Sequence, residues 1–142
     1  MTTIDFYFNA EDRLQVACRL APKAASQKKR MLIYAPDGGT AGAIDRMLWT
    51  WQAVGFLPHC AAGDELAAET PVLIASGEET PEGCGMIVNL AAQAPPHFAR
   101  FERLFEIVPA EEAGRAAGRD RYRFYLDRGY KIANHDLAAG DG

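Results

Sequence analysis

The sequence predicts an α/β protein: a single doubly wound, Rossmann-like domain with a mostly parallel sheet. Short β-branched and aromatic segments recur along the chain, and stretches with helix-starting chemistry and helical apolar spacing lie between them. One segment, Met31–Ala35, is a continuous apolar run, as in a central parallel strand that is covered on both faces. Strands that alternate with helices in this way are typical of parallel sheets with helices on both sides.

Length and composition indicate one globular unit. The chain has 142 residues, of which 49% are hydrophobic and 24% charged. We expect one domain over residues 1–136 and a disordered tail over residues 137–142. Three cysteines without a CxxC pair, and a start without a signal-peptide pattern, predict a cytoplasmic protein with reduced thiols. No apolar segment is long enough to predict a membrane span.

The first predicted elements are a strand and a long helix. Residues Ile4–Phe8 are β-branched or aromatic apart from one aspartate, which is typical of a strand. Asn9 and the acidic residues after it supply helix-starting chemistry, so a helix is expected from about Ala10 to Gln27. Pro22 should either kink this helix or end it early.

The strand Met31–Ala35 leads into the turn Pro36–Thr40 and a helix over Ala41–Trp51, with Thr40 or Asp37 available as its N-cap. Two glycines in this turn lie where a phosphate loop would be found. The turn has no lysine, and neither GxxxxGK[ST] nor GxGxxG is present. We therefore predict no functional phosphate loop and no nucleotide cofactor.

The second half of the chain continues the alternation of strands and helices. A long helix should follow the strand that ends near Val108-Pro109, with acidic residues in its first turn. Further strands are predicted at Thr70–Ala75, Gly85–Leu90, Arg103–Val108 and Tyr130–Ala133, and a short helix opening at Pro95–Phe98.

Trp49 lies off the predicted core face of its helix. A large ring in that position is either packed by a neighbouring element or left for a partner, and Phe56 would complete such a patch. The sequence leaves these two options open. The core face itself is predicted by four apolar residues at helical spacing, Ile44, Met47, Leu48 and Trp51.

The stretch from Arg115 to Lys131 is basic in an acidic chain. It holds six of the 15 Lys and Arg residues and two of the 19 Asp and Glu residues, in a chain of net charge −4. Arginines on either side of an aromatic ring could bind an acidic ligand that also has an apolar side chain. The alternative interpretation is a surface helix whose arginines are only solvated. If the stretch is a helix that ends at Gly129, one stripe of it carries Arg115, Arg119, Tyr122, Arg123 and Leu126. The opposite face carries Ala117, Phe124 and Tyr125.

No pattern typical of catalysis or metal binding is present in the sequence. His59, His97 and His135 are far apart, and neighbouring residues on a strand, such as His59 and Cys60, point to opposite faces. GxSxG and HExxH are absent. We therefore predict no catalytic residue, no metal site and no cofactor; an enzyme would need polar groups clustered at the carboxyl ends of the strands.

Six short segments, in their order and spacing, carry a resemblance to a known family. They are Asp5–Tyr7, Ile44–Trp49, Phe56–His59, Pro71-Val72, Phe105–Pro109 and, above all, Arg119–Tyr125. Together they resemble the chi subunit of bacterial DNA polymerase III holoenzyme. The resemblance implies a fold like that of nucleotide-binding domains without a working phosphate loop, and a non-catalytic accessory role in the clamp-loader assembly during DNA replication.

The resemblance also implies two protein-binding sites. Family members bind the acidic, phenylalanine-ended C-terminal tail of single-strand DNA-binding protein, and bind the psi subunit on a separate surface. By position, the psi-facing patch would include Trp49 and Phe56, although a helicase or a second copy of the chain would also fit there. The tail site would comprise Val108, Arg119, Tyr122 and Arg123, where the family more often has lysine at the last position.

A direct single-strand nucleic-acid-binding module is the alternative interpretation. Tyr122 and Tyr125 would then stack on bases beside the arginines of residues 115–131. The acidic remainder of the chain and the opposite facing of the two rings weigh against this alternative.

Overall fold

The computed structural model describes residues 2–27, 29–50, 58–62, 70–77 and 84–139. Within these ranges strands and helices alternate along the chain. The strands are β1 Thr3–Ala10, β2 Arg30–Tyr34, β3 His59–Ala61, β4 Val72–Ala75, β5 Cys84–Asn89, β6 Arg103–Pro109 and β7 Ile132–Asp136. The helices are α1 Arg13–Leu20, α2 Pro22–Ser26, α3 Gly38–Thr50 and α4 Glu112–Asp127, with 3-10 helices at Phe98–Arg100 and Leu137–Ala139.

The strands form one seven-stranded sheet in the order β3-β4-β2-β5-β6-β1-β7. Every pairing between neighbours is parallel, which confirms the predicted α/β class. β2 lies inside the sheet between β4 and β5, and its three middle residues are buried. The continuous apolar run in the sequence therefore marks an interior strand, as predicted.

Helices cover both faces of the sheet, which makes the fold doubly wound. Met31 and Ile33 pack in one hydrophobic cluster with Val16 of α1 and residues of α3. Leu32, which lies between them in β2, packs in the opposite cluster with Tyr125 of α4. Alternate residues of one strand thus contribute to two cores, because successive side chains of a strand point to opposite faces. Among the described helices, none has the length and apolarity that crossing a bilayer requires.

The predicted helix over residues 10–27 is two helices, and it starts later than expected. β1 continues to Ala10, and Asp12 caps α1 by accepting hydrogen bonds from the N–H groups of Leu14 at 3.0 Å and Gln15 at 3.3 Å. Pro22 is the first residue of α2, where its missing N–H has no intrahelical partner to lose. Ala21, between the two helices, has a helical backbone conformation, and its N–H donates to the carbonyl oxygen of Ala17.

The glycine-containing turn before α3 serves as a helix start. The carboxylate of Asp37 accepts hydrogen bonds from the hydroxyl of Thr40 at 3.0 Å and from the N–H of Gly39 at 3.3 Å. The Thr40 hydrogen bond, followed by the Gly39 hydrogen bond, lowers the pKa of the Asp37 carboxyl. Of the two predicted caps, Asp37 is therefore the one that caps α3, and the helix begins at Gly38, three residues before the predicted start.

α4 ends where the sequence predicts and lies unusually close to β6. Gly129 has φ of 82°, a left-handed conformation that favours glycine, directly after the helix. A Cβ atom at Gly118 would lie 2.7 Å from Cγ1 of Val108, so a larger residue would push the helix away from the sheet. β7 follows, and Leu137 of the last 3-10 helix packs against the core; residues 140–142 of the predicted tail lie outside the described residues.

Candidate protein-binding surfaces

A buried polar network anchors α4 to the sheet. The carboxylate of Glu106 on β6 is fully buried and accepts a hydrogen bond from Nε of Arg121 at 2.8 Å. It also accepts from the Tyr125 hydroxyl and from Nδ2 of Asn89. Nη1 of Arg121 donates to the carbonyl oxygen of Ala92 at 2.9 Å. Arg121 and Tyr125 therefore hold the helix in place and are not available to a ligand on its outer face.

Burial controls the protonation of this network. Burial raises the pKa of the Glu106 carboxyl, and the guanidinium of Arg121, with the hydrogen bonds from Tyr125 and Asn89, opposes that rise. Burial and then the Glu106 charge raise the pKa of the Tyr125 hydroxyl, which stays a donor. Polar and apolar residues alternate over part of Arg103–Val108 in the sequence. This alternation does not separate exposed from buried side chains, because β6 is buried from Leu104 to Val108. A glutamate inside a buried strand needs a cationic partner, so Glu106 is the sequence signal from which an ion pair with an arginine could have been predicted.

A cavity lies between α4 and the carboxyl ends of β1, β6 and β7. Ligands of open parallel sheets bind at this end of the strands. The cavity has a volume of about 320 Å³. Its lining consists of an apolar part and a polar rim, formed by Phe8, Asn9, Val108, Arg115, Arg119 and Asp136. We call it the α4 cavity.

The structure brings two of the four residues assigned to the tail site into this cavity. Val108 is buried at its base, and Arg119 is exposed at its rim. Tyr122 is half-buried, and its ring centroid lies 6.3 Å from that of Phe8, which lines the cavity. Arg123 is exposed on α4 but is not among the lining residues.

The rim of the α4 cavity is positively charged. Arg119 is paired only loosely with Glu112, at 3.6 Å between two exposed side chains, and such pairs contribute little free energy. Arg115 forms no ion pair within the described part of the chain. Asp136 is the one acidic residue in the described lining, and its carboxylate accepts hydrogen bonds from Nδ2 of Asn9 at 2.8 Å and the N–H of Ala138 at 3.0 Å. Both arginines are thus free to meet an external carboxylate.

Four lining residues, Phe8, Asn9, Arg115 and Asp136, are not among those that the sequence assigns to this site. Arg115 was on the predicted cationic stripe, so helical spacing carried a signal for it. Phe8, Asn9 and Asp136 come from two strands that are far apart in sequence, and no local pattern connects them to α4.

Trp49, for which the sequence leaves packing and exposure both open, is largely exposed on α3. The side chain is 57% exposed. Its ring centroid lies 4.6 Å from that of His59, a buried residue of β3 whose Nε2 is 3.5 Å from Oδ1 of Asp45. Trp49 therefore packs against the edge of the sheet through His59 and is more than half exposed. Phe56, the second residue assigned to this patch, lies outside the described residues.

Tyr125 is fully buried, so it cannot stack on a base as the nucleic-acid-binding alternative requires. In the described part of the chain, no group of three or more His, Cys, Asp and Glu side chains is arranged to hold a metal ion.

The fold and the cavity define the class of protein: a Rossmann-like α/β domain in which Asp37 of the glycine-containing turn caps a helix, and in which the arginine-bearing helix α4 borders a cavity of about 320 Å³. The chain belongs to the DNA polymerase III chi subunit (HolC) family, whose model matches residues 1–133.

Two chi subunits illustrate the similarity. DNA polymerase III subunit chi of Pseudomonas aeruginosa is 37% identical over 141 residues, which cover 96% of this chain and 98% of that protein. The Escherichia coli K12 subunit is 27% identical over 132 residues, covering 92% and 88%. The chain is thus similar to an accessory subunit of the replicative polymerase along nearly its whole length.

Solved structures show a similar fold in a different kind of protein. The C-terminal domain of the yeast DEAD-box protein Dbp5 superposes with a TM-score of 0.61 at 11% identity, over 96% of this chain and 90% of that domain. Yeast Dbp5 bound to RNA and ADP BeF3 gives a TM-score of 0.65 at 13% identity, over 96% of this chain and 41% of that one. At this level of identity the likeness concerns the fold alone.

Proposed function

We propose that this chain is a non-catalytic accessory subunit of the clamp-loader complex of the bacterial replicative polymerase. In this role it binds the acidic C-terminal tail of single-strand DNA-binding protein and links it to the polymerase through the psi subunit. It would act in the cytoplasm, contact DNA through its partners and need no cofactor. The observation that carries the proposal is the α4 cavity, where two exposed arginines border an apolar pocket in a chain of net charge −4.

The chemistry of the cavity matches a peptide that ends in an aromatic residue and a carboxylate. Arg119 and Arg115 can each form a two-pronged contact with a carboxylate, including the terminal one. Val108 and Phe8 supply an apolar wall, which Tyr122 extends through its contact with Phe8. The terminal phenylalanine ring would lie against this wall. Arg123, one turn further along α4 from Arg119, would meet acidic residues that precede the terminus.

Binding at such an exposed site should be modest in affinity and sensitive to salt. Charge-assisted contacts are each worth about 1.5–3 kcal/mol, and exposed charges are screened as ionic strength rises. A contact of this strength exchanges readily, which suits a tether between proteins that move on DNA.

The test of the tail-binding role is a fluorescence anisotropy titration of the purified protein with labelled probes. An acidic peptide ending in Asp-Phe should bind, and its affinity should fall about tenfold or more when Phe is replaced by Ala or the acidic residues by Asn. Raising the salt concentration should weaken binding further. A labelled oligothymidylate that binds more tightly than the Asp-Phe peptide would instead support direct nucleic-acid binding.

We further propose that Trp49 and Phe56 form the surface that binds the psi subunit. Replacing Trp49 by Ala should weaken psi binding by about 2 kcal/mol, or about thirtyfold, because exposed tryptophans are frequent anchors of interfaces. Isothermal titration calorimetry with psi from the same organism measures this loss. Leu126→Ala is the matched control, since Leu126 is, among the described residues, the other large exposed apolar residue, at 55% exposure, and lies on α4.

Equal losses from Trp49→Ala and Leu126→Ala would contradict a psi surface on α3. A homodimer that dissociates on Trp49→Ala, detected by analytical ultracentrifugation, would assign the patch to a second copy of the chain instead. If a helicase binds at Trp49 in place of psi, the surface would still be a protein-binding site, but its partner would be the helicase.

A further inference from the structure

A second cavity lies on the face of the sheet opposite α4. It is formed where α1 ends beside the edge strand β7, and it has a volume of about 380 Å³. None of its lining residues contributes to the α4 cavity. The lining consists of Tyr7, Val16, Arg19, Leu20, Lys23, His135 and Leu137. We call it the α1 cavity.

Two cations of the α1 cavity lack a carboxylate partner. Arg19 is exposed and Lys23 half-buried, and neither forms an ion pair within the described residues. The carboxylate of Asp5, on the same face of the sheet, lies 3.0 Å from both Nε2 of His135 and Nη2 of Arg103, so its charge is already compensated. The cavity is therefore a positive site in an acidic chain.

The base of the α1 cavity is apolar and well packed. Val16 and Leu20 are buried residues of α1, and Tyr7 is a buried residue of β1. The ring of His135 stacks on that of Tyr7, with centroids 4.5 Å apart and an interplanar angle of 14°. An apolar side chain can rest against this base while acidic neighbours reach Arg19 and Lys23.

β7 gives this cavity a backbone edge that an extended chain can use. The strand is the last of the sheet and, among the described residues, pairs with β1 alone. The N–H of Ile4 donates to the carbonyl oxygen of Lys131 at 3.2 Å. Because backbone groups alternate in direction along a parallel strand, those of Ile132 and Asn134 point away from β1, toward the free edge. Free edges of this kind accept an added strand.

We propose that the α1 cavity and the free edge of β7 bind an extended acidic segment of another protein, which adds to the sheet as an eighth strand. Alternate residues of a strand are about 7 Å apart on one face. Side chains four residues apart on a helical path, such as Arg19 and Lys23, are about 6 Å apart. A segment with carboxylates at two alternate positions and an apolar residue at the next one therefore matches the cavity. This surface is separate from the α4 cavity and does not depend on the proposed function.

A peptide fits these features better than a single-stranded nucleic acid does. Unpaired backbone groups of Ile132 and Asn134 are complementary to a peptide backbone, and a nucleic acid has no equivalent ladder of amides. Non-specific nucleic-acid binding also requires a broad positive field, whereas this site offers two unpaired cations in a chain of net charge −4.

The first test is an anisotropy titration with a fluorescein-labelled probe, Thr-Asp-Thr-Asp-Thr-Leu-Thr. The double variant Arg19→Gln/Lys23→Gln should lose about tenfold or more in affinity for this probe. The double variant Arg119→Gln/Arg123→Gln removes the same charge from α4 and should change this affinity less than about twofold. Equal losses in the two variants, or no loss in the first, would overturn the proposal.

The same variants separate this proposal from the tail-binding role. The Asp-Phe peptide should lose affinity for Arg119→Gln/Arg123→Gln and keep it for Arg19→Gln/Lys23→Gln. Hydrogen exchange provides the second test: the probe should slow amide exchange at Ile132 and Asn134, and unchanged exchange there would overturn strand addition. The proposal of a peptide ligand would be overturned if a labelled oligothymidylate bound more tightly than the probe and lost affinity only in Arg19→Gln/Lys23→Gln. The ligand of the α1 cavity would then be a nucleic acid.

Discussion

Arg121→Met is expected to lower the free energy of unfolding by about 3–5 kcal/mol, because it leaves the buried Glu106 carboxylate without its counter-charge. Methionine keeps most of the length and apolar volume of the side chain, so the loss comes from the charge. Urea denaturation followed by circular dichroism measures this difference directly.

Arg123→Met is the matched control for Arg121→Met. Arg123 lies two residues further along the same helix and is exposed, so its replacement should change stability by less than about 0.5 kcal/mol. Combining Arg121→Met with Glu106→Gln should recover part of the loss, since the double variant buries no unpaired charge. If Arg121→Met and Arg123→Met lower the free energy of unfolding by the same small amount, Arg121 does not stabilise the buried Glu106 carboxylate.

The destabilisation caused by Arg121→Met should also depend on pH. Burial raises the pKa of Glu106 in the folded protein above its value in the unfolded chain, and removing the opposing Arg121 charge raises it further. A carboxyl with a raised folded-state pKa favours folding below its unfolded pKa and loses that contribution as pH rises through the folded pKa. The gap between wild type and Arg121→Met should therefore narrow as pH falls toward the ordinary range of glutamate.

Arg119→Ala is expected to weaken binding of an acidic peptide ending in Asp-Phe by about tenfold or more, if the guanidinium contact is worth about 1.4 kcal/mol or more. Adding Arg115→Ala, which removes the second arginine of the α4 cavity rim, should bring the loss to about a hundredfold. Anisotropy titrations at one fixed ionic strength measure both effects.

Arg128→Ala controls for a general loss of positive charge. Arg128 is an exposed arginine directly after α4, held over the ring of Phe124 at 3.7 Å, and it does not line the α4 cavity. Its removal should change peptide affinity less than about twofold. Arg119→Lys should recover only part of the affinity, because an ammonium group cannot make the two-pronged contact. Equal effects of Arg119→Ala and Arg128→Ala would remove Arg119 from the site.

Features encoded by neighbouring residues were predictable. The apolar run of β2, the capping chemistry of Asp37 and the left-handed Gly129 each depend on a few adjacent residues, and each lies where the sequence predicts. The same turn lacks the lysine that the GxxxxGK[ST] motif requires, which is also a local feature of the sequence. Helical spacing likewise separates exposed Arg119 from buried Tyr125.

Features that depend on residues distant in sequence were not predictable. Arg119 and Arg121 are two positions apart in the same basic stretch, yet one is at the rim of a cavity and the other inside the protein. The difference arises because Glu106 on β6 lies under Arg121, and helical spacing does not contain that contact.

The amino-acid sequence by itself determined the α/β class, the family and the cationic face of the last long helix. These properties follow from periodicity, local turn chemistry and the order of short segments, which are all present in the linear chain. Only the tertiary structure decided which cations are free, because the order of the strands brings Phe8, Val108 and Asp136 together beneath Arg119. The same order leaves β7 at the edge, beside Arg19 and Lys23, so both candidate binding surfaces result from packing between distant segments.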